Sequence, residues 1–195
     1  MPVLSRLRAI CKLMEKCSMH EETERDIKFS FPEQWHIMRY EHSEFHEKKM
    51  MPLQHTHASD FLCCNGVKTM ILEVKRYTEK PFNDTGENLS NFIDKVGWQF
   101  RDTICGISIA KISNNLELEP YYSAVFSEES DASVKLILFL ELENITSGMD
   151  KREVMAHILN RLKQRFTPMG FAVRVVDSQT LSSHCSWKAE VLSCN

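Results

Sequence analysis

Two β-favouring runs on either side of Asn65-Gly66 constrain this chain more than any other feature. Residues 60 to 64 read DFLCC and residues 67 to 77 read VKTMILEVKRY. Asn-Gly supplies both positive φ angles of a type I′ turn, so the pattern predicts a tight antiparallel hairpin with Cys64 facing Val67 and Asp60 opposite Ile71. Side chains alternate along a strand, which places Ile71, Glu73 and Lys75 on one face and the apolar Met70, Leu72 and Val74 on the other. In that register Asp60 is a diagonal neighbour of Glu73, roughly 7 to 8 Å away between backbones. Two carboxylates so placed can share an ion.

The remaining elements follow from periodicity. Leu4, Leu7, Ile10, Cys11, Met14 and Cys17 fall at helical spacing and predict an amphipathic N-terminal helix. Phe29, Phe31 and Trp35 to Tyr40 read as a short strand introduced by Pro32, and residues 41 to 59 as an irregular, His-rich loop. Phe92, Ile93, Val96, Phe100, Ile104 and Ile107 predict a long helix over 89 to 110, with Asn88 or Ser90 available as its cap. Residues 134 to 142, VKLILFLEL, are the nearly continuous apolar run of a strand buried on both faces. Val154, Met155, Ile158, Leu159, Leu162 and Phe166 then predict a helix over 150 to 166, ended by Pro168 and Gly170 and followed by a strand at 172 to 176. This alternation argues for an α/β fold, a mixed sheet flanked by helices. The expected division is an N-terminal helical extension over 1 to 28, one domain over 29 to 177 and a tail over 178 to 195.

A 195-residue chain with 43% hydrophobic residues can bury a core without staples. Its seven cysteines form no CxxC pair, the usage expected of reduced thiols in a cytoplasmic protein. Cys63 and Cys64 alternate faces and are expected to fill core. Arg6, Arg8 and Lys12 interrupt the apolar rhythm of the N-terminus, unlike a signal peptide, and no run approaches the roughly 20 apolar residues of a membrane span. A formal charge of −3 gives no global positive field, so nucleic-acid binding would need a local patch. Lys75, Arg76, Lys80, Lys95 and Arg101 cluster in sequence near the hairpin face, with Gln99 beside them.

Two carboxylates held close raise each other's pKa unless a cation intervenes. A hard divalent ion with oxygen ligands is the natural partner, and Mg²⁺ fits best, with Mn²⁺ as its substitute. Lys75 beside the ion could orient an attacking water or stabilise charge on a phosphate oxygen. An Asp on one strand, Glu73-Val74-Lys75 on the next, a long helix and a buried strand together resemble the PD-(D/E)xK, restriction-endonuclease-like nuclease superfamily. ILEVKRY, FIDKVGWQFRDTICG and KLILFLELE look like a poorly characterised bacterial branch of it.

The resemblance spans about residues 29 to 177 and implies a metal-dependent endonuclease hydrolysing phosphodiester bonds of DNA or RNA. It makes Asp60 and Glu73 metal ligands, the Val74 carbonyl a third, and Lys75 the catalytic lysine. Serine, not proline, precedes Asp60. The helical glutamate used by some members could be Glu15, Glu41 or Glu44. The alternative is an inactive nuclease-fold subunit that binds a protein partner, or a homo-oligomer of that kind. A third reading uses His42, His46, His55 and His57 as zinc ligands.

Overall fold

The structure, a computed structural model, describes residues 19–78, 89–126, 133–145, 150–181 and 185–192. Its spine is a five-stranded mixed sheet of order β3-β4-β5-β6-β7. The strands are β3 (His36–Arg39), β4 (Phe61–Cys64), β5 (Lys68–Tyr77), β6 (Ser133–Leu142) and β7 (Ala172–Val176). β3, β4 and β5 pair antiparallel, while β5, β6 and β7 run parallel. Parallel neighbours need a crossover, and the long helix α1 (Leu89–Ile112) supplies it between β5 and β6.

One face of the sheet carries α1, the short α2 (Glu119–Val125) and α3 (Lys151–Phe166). Phe92, Val96 and Phe100 of α1 and Ile158 and Leu162 of α3 pack over Ile71, Leu136, Leu138 and Leu140. Asp150 caps α3 by accepting from the Arg152 N–H, and Gly170, at φ 88°, ends the turn that follows it. The other face is covered by a second antiparallel sheet of β1 (Met19–Glu24), β2 (Ile27–Pro32) and β8 (Lys188–Val191). Ile27, Phe29, Phe31 and Trp187 close over Phe61, Met70, Leu72, Val74 and Phe139. Strands covered on both faces explain the near-continuous apolar run of β6. Cys63 and Cys64 are both fully buried, one in each core.

The hairpin register differs from the expected one. Phe61 pairs with Leu72 and Cys64 with Thr69, so the central turn residues are Gly66 and Val67 instead of Asn65 and Gly66. Asn65 stays at the strand end: its N–H donates to the Lys68 carbonyl at 3.2 Å, and its Oδ1 accepts from the Val67 and Lys68 amides. Gly66 alone takes a positive φ, 88°, the pattern of a type II′ turn. A slip of two residues preserves faces. Asp60, Glu73 and Lys75 therefore stay together, and continuing the pairing one step past Phe61 sets Asp60 directly opposite Glu73.

Other expectations are redrawn by tertiary pairing. The strand expected over 29 to 40 divides at Pro32 into β2 and β3, which belong to different sheets. Residues 19 to 28 are mostly strand, and β8 comes from the segment taken as a tail. Residues 41 to 59 hold tight helical turns, including His46–Met50, and α2 lies where no element was expected. The amphipathic pattern of 4 to 18 lies outside the described residues. No helix among the described residues is long and apolar enough to cross a membrane.

Candidate metal centre

β5 passes through the middle of the sheet, so a charge on it must be partnered or desolvated at a cost. Glu73 is fully buried. One carboxylate oxygen, Oε1, meets the Lys75 Nζ at 2.5 Å and accepts from the Gln99 Nε2 at 2.7 Å. The other, Oε2, has no hydrogen-bond partner, and neither has the side-chain carbonyl oxygen of Gln99. Burial pushes the Glu73 carboxyl above its usual range against the opposing pull of Lys75 and Gln99.

Asp60 closes the site from the start of β4 and is 5% exposed. Its Oδ2 accepts from the Val74 N–H at 2.6 Å. Antiparallel alternation turns the Val74 N–H and carbonyl toward β4, at the level where β4 has yet to begin pairing, while the Val74 side chain faces the opposite core. Burial first, and the Glu73 charge second, push the Asp60 carboxyl up to about 8.

The segment leading into Asp60 is pinned by one polar face of α1. Gln99 donates to the Ala58 carbonyl at 3.1 Å, the Thr103 hydroxyl accepts from the Ser59 N–H at 2.9 Å, and Asp102 Oδ2 accepts from the His57 N–H at 2.9 Å. Burial would raise the Asp102 carboxyl, but its bonds from Arg101 and His57 hold it below the usual range. Gln99 and Thr103 sit within the apolar stripe that runs through Val96, Phe100 and Ile107. Polar residues in such a stripe were the sequence signal for this clamp.

Glu41 and Glu24 extend the acidic centre. Carboxylate oxygens of Glu24, Glu41 and Asp60 lie within 4.8 Å of one another. Glu41 enters from the turn Tyr40–His42, which is tied to the site because the Tyr40 N–H donates to the Asp60 carbonyl at 2.9 Å. Of the three glutamates open for the helical position, Glu41 is the one brought to Asp60. Glu44 pairs with Lys48 on the surface, and Glu15 lies outside the described residues. Glu24 comes from β1, inside the stretch taken as an extension, and also pairs with Arg39. Glu24, Glu41 and Asp60 thus offer carboxylate oxygens that fit a hard divalent cation, while Glu73 stands outside that group of three, its Oε1 held by Lys75 and Gln99 and its Oε2 buried without a partner.

A cleft of about 330 Å³ opens beside Lys75, with Arg25, His57, Arg76, Lys95 and Gln99 in its wall. No family model, curated protein or solved structure matches this chain. The histidines of the alternative zinc reading do not form a ligand set among the described residues. His57 lies against Asp102, His46 is buried against Tyr40, and His42 pairs with Glu41, so each has been drawn to a different partner.

Proposed function

We propose that this protein is a divalent-metal-dependent phosphodiesterase of the restriction-endonuclease-like type, acting on DNA or RNA. The observation that carries the reading is Glu73: a fully buried carboxylate with one oxygen on Lys75 and the other unpartnered, set across the hairpin from Asp60. Burying such a group with half its acceptors empty is costly unless a cation or proton completes it. The antiparallel-then-parallel order of the sheet and the crossover helix carrying Gln99 support the same reading.

Asp60 and Glu73 would hold Mg²⁺ or Mn²⁺, with the Val74 carbonyl and Glu41 completing the oxygen set. When bound, the ion supplies Lewis-acid stabilisation of charge growing on the phosphate. Lys75 presents its ammonium at the mouth of the cleft, where it can donate to a non-bridging phosphate oxygen or orient a water for in-line attack. Gln99 holds Glu73 and the Ala58 carbonyl together and so fixes the spacing of the two carboxylates. Arg25 and Lys95 line the cleft and give flanking phosphates a local positive surface that the net charge of the chain does not, whereas Arg76 beside them is held by Glu143.

The test is cleavage of labelled single- and double-stranded DNA and RNA with Mg²⁺ or Mn²⁺. Activity should disappear in Glu73→Ala and Lys75→Ala with circular dichroism unchanged. Undiminished cleavage in those variants would refute the assignment. Metal binding by the parent with no cleavage of any substrate would favour a catalytically silent nuclease-fold subunit.

A further inference from the structure

A second cleft, of about 390 Å³, lies on the opposite face of the sheet and at the other end of β5. Lys68 opens β5 there, five residues before Glu73 and so roughly 17 Å from it along the strand. Lys135 and Arg174 join Lys68 in the wall, together with Trp35, Trp187 and Cys185, and no acidic residue among the described residues lines the cleft.

The strand register shows how these cations come together. Met70 pairs with Lys135, so Lys68, two residues earlier on the same face, is a diagonal neighbour of Lys135. Ile137 pairs with Arg174, so Lys135 is in turn a diagonal neighbour of Arg174. Met70 and Ile137 belong to the core beneath the second sheet, which assigns all three cations to that face. Adjacent strands thus present one cation each, in a row, with backbones about 7 to 8 Å apart. Like charges in that arrangement repel, and none of the three has an ion pair with a described residue. Some cations elsewhere are matched to acids, as Lys28 is to Glu21, Arg76 to Glu143 and Lys151 to Asp177.

We infer that this cleft binds a nucleoside di- or triphosphate. Three cations call for a ligand carrying more than one negative charge, and arginine and lysine are the side chains suited to phosphate oxygens. The half-buried Trp35 offers aromatic surface for a base, and the buried Trp187 backs the cleft from the core. The volume falls at the small end of ligand pockets, which span about 300 to 1,000 Å³. The site is independent of the metal centre and needs no metal, because its charge is supplied by the protein.

The experiment is titration of the full chain with ATP, inorganic phosphate and a short oligonucleotide in EDTA, read by calorimetry and by thermal unfolding. ATP should bind and raise the melting temperature, and the double variant Lys135→Gln/Arg174→Gln should weaken binding by about tenfold or more. Without ligand that variant should be at least as stable as the parent, because it removes repulsion. Asp60→Asn should bind ATP as the parent does. No heat and no thermal shift at millimolar ATP, or equal binding by the double variant, would overturn the site. Inorganic phosphate or the oligonucleotide binding as tightly as ATP would overturn its assignment to a nucleotide.

Discussion

In metal-free buffer at pH 8, Asp60→Asn should make the folded protein more stable. The carboxyl ionises near 8 in the fold and near its ordinary 3.8 in the unfolded chain. A raised carboxyl of this kind contributes stability that is fully present below 3.8 and is lost as pH rises through 8. At about 1.4 kcal/mol per pH unit, the loss reaches a ceiling of about 5 kcal/mol at pH 8. Even buried sites behave as if the effective dielectric were well above that of dry protein, so the recoverable part is about 1 to 3 kcal/mol. Asparagine keeps the shape and the acceptor for the Val74 N–H while removing the charge that faces Glu73.

Urea unfolding at pH 5 and pH 8, with and without Mg²⁺, measures this directly. The parent should weaken between the two pH values in EDTA and recover with Mg²⁺. The variant should lose less over that range, keeping only the share that the buried Glu73 carboxyl contributes, and gain nothing from the metal. If Asp60→Asn were no more stable than the parent at pH 8 in EDTA, the buried, mutually repelling carboxylate pair would not exist as described. If Mg²⁺ stabilised parent and variant alike, Asp60 would not be a ligand.

Four further outcomes test the architecture around the site. Gly106→Ala should destabilise the fold by about 1 to 3 kcal/mol in urea, because an added Cβ would sit 1.9 Å from the Tyr40 hydroxyl oxygen, and Tyr40→Phe should restore part of the loss. Asp102→Asn should lower metal affinity in calorimetry without touching a ligand, since it weakens the hold on His57 that positions the approach to Asp60; unchanged affinity would make that clamp irrelevant to the site. The stability that Asp102 contributes belongs above its ordinary pKa and is lost as pH falls through its lowered folded value, so the parent and Asp102→Asn should converge in stability under acid. Purified protein should carry no stoichiometric zinc, and a His55→Ala/His57→Ala variant should leave metal content unchanged by elemental analysis.

The long helix was legible from its period of about 3.6, and the two central strands from their apolar, β-favouring runs, which reflect burial of β5 and β6 on both faces. Strand alternation put Asp60, Glu73 and Lys75 on one face, and the observed slip of two residues could not undo it. The register itself was set by the Asn65 side chain accepting the Val67 and Lys68 amides, a local competition that the Asn-Gly dipeptide does not reveal.

The sequence by itself determined the central sheet elements and the face that holds the acids. Tertiary structure alone decided which distant residues complete the centre. Glu24 arrives because the β1-β2 hairpin folds over the sheet, and Glu41 because the turn after β3 is tied to the Asp60 carbonyl. Gln99 was identifiable as a polar residue in an apolar stripe, but its link to Glu73 exists only once α1 packs on β5. Periodicity reports which way a side chain points relative to its own element; only packing between elements determines what it meets.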